Sequence, residues 1–93
     1  MKIEFDPAKN ERNIRERDLP FQLVADFEFE TALFQEDLRK DYPERRFVAV
    51  GFLNRRLHIL CFTPIAEGIR VISFRKANRR EEKHYAEATA TDQ

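Results

Sequence analysis

The sequence predicts a single α+β domain, with two helices packed on one side of a twisted, mainly antiparallel sheet and a further helix at the C-terminus. Three β-rich runs joined by short links of turn-forming residues predict a meander of hairpins. Asp6-Pro7 followed by helix formers predicts an early helix, and the change to charged helix formers at Asn78 predicts a late one. The predicted order is β-α-α-β-β-β-β-α.

The N-terminal strand and first helix follow from local signals. Residues 2–5 form the strand, which stops at Asp6-Pro7 because Asp caps a helix and Pro fits its first turn. The helix then runs from Pro7 to about Arg17. Its few apolar residues, mainly Ala8 and Ile14, are typical of a surface helix with a narrow buried stripe.

A second helix and a brief strand are predicted next. Asp18 is expected to cap a helix that runs from about Leu19 or Pro20 to Asp26, so the two helices form an αα-hairpin. Thr31 to Phe34 is predicted as a short strand. The polar stretch from Gln35 to Pro43 is predicted as a loop.

Three strands make the strongest secondary-structure prediction. They are Phe47 to Leu53, Leu57 to Thr63 and Ile69 to Phe74. The first two are apolar almost throughout, so both faces of the central sheet are expected to be covered. The end of the chain, from about residue 87 to 93, is predicted to be a frayed tail.

Length and composition predict one domain over residues 1–93. The chain is 42% hydrophobic, with nine Phe and no Trp, which suits one modest core. Acidic residues stand where a signal peptide needs an apolar segment, and no stretch is apolar enough to span a membrane, so a cytoplasmic protein without membrane contact is expected. The lone Cys61 lies in an apolar run and is expected to be a buried, inert thiol.

Charge is balanced overall but unevenly distributed. Residues 1–37 hold 5 Lys/Arg against 10 Asp/Glu (5 − 10 = −5), and residues 38–93 hold 12 against 7 (12 − 7 = +5). Such asymmetry indicates a surface for nucleic acid or a charged partner. The alternative is a mixed surface that only keeps the protein soluble.

Several kinds of chemistry are disfavoured. One Cys and two His, His58 and His84, have no zinc-like spacing, so neither a metal nor another cofactor is predicted. Gly51 and Gly68 are too few for a phosphate-binding glycine loop. Ser73 is the only serine and lacks the glycine-flanked turn of a hydrolase nucleophile.

Cations cluster where the last strand meets the last helix. The cluster consists of Arg70, Arg75, Lys76, Arg79 and Arg80. The two-residue period of a strand places Ser73 and Arg75 on one face and Arg70, Phe74 and Lys76 on the other. Such a rigid set of cations suits a phosphodiester. The alternative for the helical members is a solvated face with pairing along the helix.

Three blocks of the sequence resemble the BrnT family, toxins of bacterial type II toxin–antitoxin pairs. The blocks are Phe5 to Lys9 with Asn13 and Phe21, Glu44 to Phe47 with Gly51, and Arg70 to Ala77 with Arg80-Glu81 and Tyr85. The resemblance implies a RelE-like fold and a metal-independent endoribonuclease that cleaves RNA and inhibits translation. It also implies a BrnA-like antitoxin of ribbon-helix-helix type, through which DNA is contacted only indirectly.

The resemblance directs attention to a set of site residues. Candidates for catalysis are Arg46, His58, Arg70, Arg75, Lys76 and Glu81, and candidates for RNA binding are Arg45, Ser73, Arg79, Arg80 and Tyr85. Arg75, with Arg70 or Arg46 beside it, is expected to stabilise the charge on the phosphate in the transition state, because a guanidinium stays charged and grips two oxygens. Arg45 and Arg46 alternate in direction, so at most one points into a site.

The acid and base stay open at this point. His58 has the titration range for proton transfer but also suits a core position on an apolar strand. Glu44 and Glu81 are the carboxylate candidates, although Glu81 also suits a pair with an Arg on its helix. Lys76 is a proton donor or a phosphate ligand. Tyr85 either packs in the core or stacks on a base.

The chain departs from the commonest family pattern at two turns. Glu16-Arg17-Asp18 stands where relatives carry Lys-His-Gly, which leaves the function of that corner open, and Pro64 to Gly68 differs only as a loop. A second class of function also remains: a non-catalytic interaction or co-repressor module on the same fold.

Overall fold

Within residues 1–90, which the computed structural model describes, five strands form one mixed sheet with helices on both faces. The elements in chain order are β1 (Lys2–Phe5), α1 (Pro7–Arg17), 3-10 helices at Phe21–Asp26 and Phe29–Thr31, β2 (Leu33–Glu36), β3 (Phe47–Leu53), β4 (Arg56–Ile65), β5 (Gly68–Lys76) and α2 (Arg79–Thr89). The strand order is β1-β5-β4-β3-β2. The pair β1/β5 is parallel and the other three pairs are antiparallel. The α+β class is therefore confirmed.

The helix starts follow the local signals. The Asp6 carboxylate accepts a hydrogen bond from the Ala8 N–H at 2.9 Å, with Pro in the first turn of α1. Asn78 and Glu81 form a reciprocal capping box at the start of α2. α2 includes residues 87–89 of the predicted tail, and residues 91–93 of that tail lie outside the described part of the chain. Neither α1 nor α2, among the described residues, has the length and apolarity to cross a membrane.

The predicted second α-helix is wrong, because Phe21–Asp26 is a 3-10 helix between two extended residues, Pro20 and Phe27. Six residues between extended neighbours make fewer than two α-helical turns, which is too short for a stable α-helix. Asp18 ends α1 instead of starting a helix. It has φ 53° and ψ 40°, and its N–H bonds the Ile14 carbonyl at 2.8 Å. This left-handed position favours glycine, and Asp18 occupies it here.

The strand boundaries differ from the predicted ones by a few residues: β2 starts later, and β4 and β5 are longer at both ends. The 3-10 turn at Phe29–Thr31 delays β2, which runs over Leu33–Glu36 instead of ending at Phe34, so the loop starts at Asp37. The β3 to β4 hairpin has a two-residue turn, with Asn54 at φ 51° and Arg55 at φ 67°. These positive angles match the right-handed twist of the flanking strands.

Buried asparagines, rather than apolar residues, attach α1 to the sheet. Ile14 is 40% exposed, whereas Asn10 and Asn13 are 7% and 4% exposed. The Asn13 side-chain amide donates to the carbonyls of Leu19 at 2.8 Å and Phe74 at 3.0 Å. Polar groups buried with their hydrogen bonds satisfied stabilise this contact. The narrow buried stripe predicted on α1 is present, but Asn10 and Asn13 form it instead of Ala8 and Ile14.

Both faces of the sheet carry a hydrophobic core. The α1 face, covered by the 3-10 helices and the chain that follows α1, holds the larger cluster, including Phe21, Leu60 and Phe74. The α2 face holds a smaller cluster centred on Ile59 and Tyr85. The prediction that both faces are covered is confirmed, with the last helix on the side opposite the first.

A β-bulge in β5 overturns the predicted facing of Arg70. Cys61 pairs with Ser73 and Phe62 pairs with Val71, so Ile72 is an extra residue without a partner in β4. One inserted residue reverses the alternation of side chains along a strand. Val71 and Phe74 consequently share the α1 face, and Arg70 lies on the α2 face with Ser73 and Arg75.

Candidate active site

A groove of about 980 Å³ lies on the α2 face, between α2 and β2. Its floor consists of apolar side chains from the two central strands, including Val48, Val50 and Ile59. The polar lining comes from β2 and the loop after it, from β4 and β5, and from α2. These polar residues are Gln35, Arg39, Cys61, Ser73, Arg75, Arg80, Glu81, His84 and Tyr85. Among the described residues, Arg39 and Arg75 each pair with a carboxylate and Arg80 has no ion pair, so the groove keeps a net positive charge that suits an anionic ligand.

Arg75 is held in the groove by a two-pronged ion pair with Glu81. Its Nη1 lies 2.9 Å from Oε1 and its Nη2 lies 2.8 Å from Oε2. The hydrogen bond from Arg75 lowers the pKa of Glu81 and the same bond raises the pKa of Arg75. Glu81 Oε1 also accepts the Asn78 N–H at 2.9 Å. A carboxylate kept ionised in this way orients Arg75 and is a poor proton donor.

Arg80, His84 and Tyr85 of α2 line the same wall as Glu81. His84 and Tyr85 lie one helical turn after Glu81, and Arg80 lies one turn before His84. Tyr85 is 8% exposed, and its hydroxyl donates to the Thr31 carbonyl at 2.7 Å. It therefore fixes α2 against the sheet. Arg80 and His84 are exposed, and neither belongs to an ion pair within residues 1–90.

Arg39 contributes a cation from the opposite wall. Its Nε and Nη2 each lie 2.8 Å from an oxygen of Asp37, whose side chain is only 2% exposed. The Tyr42 hydroxyl also donates to Asp37, at 3.3 Å. The hydrogen bond from Arg39 holds the pKa of the Asp37 carboxyl well below its usual range. The loop after β2 thus carries a locally anchored arginine.

His58 lies on the other side of the sheet. It is 3% exposed, its ring centroid is 5.2 Å from that of Phe74, and its Nδ1 is 2.8 Å from the Arg56 carbonyl. Burial lowers the pKa of His58, which favours the neutral ring. The structure places His58 in the core, away from the groove.

Other candidate arginines are engaged elsewhere. Arg70 bonds Glu4 at 2.8 Å and Glu44 at 3.1 Å, which joins β5 to the edge strand and to the loop before β3. Glu44, a carboxylate candidate for proton transfer, is therefore paired with Arg70. Arg70 does not line the groove although it shares its face.

Arg45 and Arg46 stack on aromatic rings near the start of β3. The Arg45 guanidinium lies 5.1 Å from the Phe47 ring centroid and pairs with Glu36 at 2.9 Å. Arg46 lies 4.1 Å from the Tyr42 ring centroid. Neither lines the groove. Arg79 is exposed in the first turn of α2, and Lys76 faces a smaller cavity at the end of β5.

The groove therefore brings together five of the predicted residues, Ser73, Arg75, Arg80, Glu81 and Tyr85, and adds Gln35, Arg39, Cys61 and His84. The spacing of His84 from Arg80 and Glu81 on one helix was a usable signal. Nothing local connects Arg39 to β5. Cys61 is partly exposed, and burial raises the pKa of its thiol. Within residues 1–90, no three His, Cys, Asp or Glu side chains are grouped closely enough to hold a metal.

Comparison with known protein families gives a match over most of the sequence. The model of the family described as "Ribonuclease toxin, BrnT, of type II toxin-antitoxin system" matches residues 5–81. The match spans the cap at Asp6, the whole sheet from β2 to β5, and Arg75 with its partner Glu81. No curated protein matches the sequence. Because the family match covers most of the chain, this protein belongs to the BrnT family of ribonuclease toxins of type II toxin–antitoxin systems.

Proposed function

We propose that this protein cleaves RNA internally, without a metal ion, in the groove between α2 and the sheet, and so inhibits translation. The observation that carries the proposal is the fixed Arg75, held at 2.8–2.9 Å by Glu81 and flanked in the groove by Ser73 and Arg80. Membership of a family of ribonuclease toxins supports the choice of RNA as substrate.

The arginines suit the charge that develops during cleavage. Attack of a ribose 2′-OH on the adjacent phosphate forms a new P–O bond, breaks the bond to the 5′-oxygen and leaves a 2′,3′-cyclic phosphate. Extra negative charge builds on the phosphate oxygens in between. A guanidinium fork grips two such oxygens, and losing one well-placed donor costs on the order of 10²–10³ in rate.

His84 is the best-placed residue for a proton transfer. Imidazole is the side chain that ordinarily gives and takes protons between pH 5 and 8. Within the groove Glu81 already accepts from Arg75, and the Tyr85 hydroxyl already donates to Thr31. We therefore assign one of the two proton transfers to His84 and none to the buried His58.

The proposal extends to partner, fold relationship and compartment. We propose a BrnA-like antitoxin of ribbon-helix-helix type as the partner, with DNA contacted only through it, and a RelE-like relationship for the fold. The family's type II toxin–antitoxin character supports a protein antitoxin. RNA cleavage and antitoxin binding would both occur in the cytoplasm.

The test is cleavage of a 5′-labelled RNA by the purified, antitoxin-free protein in EDTA. Products should end in a 2′,3′-cyclic phosphate, and an oligonucleotide of the same sequence with 2′-deoxyribose throughout should stay intact. An Arg75→Ala preparation, purified identically, controls for contaminating nuclease. Intact RNA from folded wild-type protein would overturn the proposal for free RNA and favour the non-catalytic interaction module. Cleavage only with added divalent metal would overturn its metal-free mechanism.

A further inference from the structure

A second cavity, of about 280 Å³, opens at the C-terminal end of β5. It is lined by Arg17, Leu19, Arg75 and Lys76. Within residues 1–90, Arg75 alone lines both this cavity and the groove. The corner where α1 ends thus lies directly beside the residue proposed to hold the reacting phosphate.

Positive charge dominates this corner cavity. Among the described residues, three of the four that line it are cations and none is an acid. Arg75 has its carboxylate partner, Glu81, on the groove side, whereas neither Arg17 nor Lys76 belongs to an ion pair within residues 1–90. Arg17 and Lys76 therefore bring two uncompensated positive charges to one cavity, and a bound anion would stabilise the arrangement.

A buried asparagine fixes the direction of Arg17. Both hydrogens of the Asn13 amide are used on the carbonyls of Leu19 and Phe74. The Asn13 oxygen is therefore left to accept from Arg17 Nη1, at 2.7 Å. Arg17 is exposed but held at one end by a residue that is only 4% exposed itself. The hydrogen bond to Asn13 therefore holds the Arg17 guanidinium in one orientation, although the side chain is exposed.

We propose that Arg17 and Lys76, together with the near side of Arg75, bind a second phosphate of the RNA strand, adjacent to the one in the groove. This inference rests on the proposed function. Arg75 at the junction of the two cavities suits a strand that passes around the end of β5, with successive phosphates on either side. The subsite adds affinity and sets the direction of the strand, while the chemistry stays in the groove.

The experiment measures binding without cleavage. The probe is a fluorescent oligouridylate of eight nucleotides with every 2′-OH methylated, which blocks the attacking hydroxyl. Affinity is measured across a range of KCl concentrations for the wild type, Arg17→Gln and Lys76→Gln. Arg15→Gln is the matched control, because Arg15 is an exposed cation on the same helix that does not line the cavity. Thermal unfolding checks that each variant is folded.

Loss of one phosphate contact should change both the affinity and its dependence on salt concentration. Arg17→Gln and Lys76→Gln should each weaken binding about three- to tenfold and flatten the plot of log K against log salt by about 0.7, the value for one phosphate on a single strand. Arg15→Gln should change neither quantity. Equal affinity and equal slope for wild type and Arg17→Gln would overturn the subsite, as would absence of binding by the wild type.

Probes in which one phosphate is replaced by an uncharged methylphosphonate show which phosphate Arg17 contacts. Replacing single phosphates of the probe by methylphosphonate should reveal one position that weakens binding to the wild type and has no further effect on Arg17→Gln. Equal effects on both proteins at every position would overturn the assignment. None of these measurements requires cleavage. Failure of the ribonuclease test would overturn the proposed function, and the binding data would still show whether Arg17 and Lys76 hold a phosphate.

Discussion

Replacing Arg75 with Ala and Glu81 with Gln breaks the same ion pair from its two sides. Glu81→Gln removes the charge but keeps an oxygen that accepts the Asn78 N–H, so the capping box survives. It also keeps the Arg75 guanidinium in the groove. Arg75→Ala removes the guanidinium itself. The two variants therefore separate a role in the fold from a role in the chemistry.

The expected magnitudes differ enough to decide between these roles. The side chains of Arg75 and Glu81 are 39% and 29% exposed, so the pair is half-buried. Such a pair stabilises a fold by about 0.2–1 kcal/mol, which for a domain of this size means a loss of at most about 4–8 °C in Tm. Loss of one transition-state donor, in contrast, costs about 2.7–4 kcal/mol, or a factor of about 10²–10³ in rate.

The assay is single-turnover cleavage of a labelled RNA in EDTA, with Tm measured on the same preparations. We expect similar Tm values for the two variants. Arg75→Ala should cleave at least about 100-fold more slowly than the wild type, and Glu81→Gln should stay within about tenfold of it.

Two results would refute this reasoning. Equal slowing in both variants would mean that the Glu81 carboxylate matters as much as the guanidinium, so the rate loss would not belong to Arg75 alone. Wild-type cleavage by Arg75→Ala would mean that the phosphate is stabilised by another group. Either result would remove the separate role assigned to Arg75.

Three further predictions test the groove and its supports. His84→Ala should slow single-turnover cleavage about 10²-fold or more with unchanged Tm, and an unchanged rate would remove His84 from the mechanism. Burial lowers the pKa of His58 in the folded state, so at mildly acidic pH the unfolded chain binds a proton that the folded chain does not. The free energy of unfolding should therefore fall as pH drops below about 6.5, by at most about 1.4 kcal/mol per pH unit. Urea unfolding of His58→Gln at pH 7 and pH 5 should show a smaller loss than the wild type, and an equal loss would contradict the assignment. Asn13→Ala strands two buried carbonyls and should cost about 1–3 kcal/mol in urea unfolding, whereas exposed Glu11→Ala should stay within about 0.5 kcal/mol.

Helix caps and turn residues in the sequence predicted the helices and the hairpin in which they lie. Asp6-Pro7 and Asn78 start helices through short-range hydrogen bonds, and the hairpin between β3 and β4 follows from the turn at Asn54 and Arg55. Asp18 was wrongly predicted as an N-cap, because Asp is common both at helix N-caps and in the αL position that ends a helix. The three blocks that carry the family resemblance lie within the matched residues 5–81, except for Tyr85.

The composition of the groove was predictable only in part. Ser73, Arg75 and Arg80 come from one continuous stretch, so their proximity follows from chain connectivity. Arg39 reaches the same groove from a loop more than thirty residues earlier, through the order of strands in the sheet. No local pattern encodes that order. By sequence His58 suits a reactive or a core position, with the core position favoured on an apolar strand, and its burial against Phe74 places it in the core.

The sequence by itself determined where most strands and helices begin, and which residue types are present for phosphate chemistry, because caps, turns and alternation act over a few residues. Only the tertiary structure decided which cations face one another. The extra residue Ile72 turns Arg70 to the α2 face, and Asn13 brings Arg17 to the end of β5. Both depend on pairing between distant segments, where register and hydrogen bonding across the fold override the local pattern.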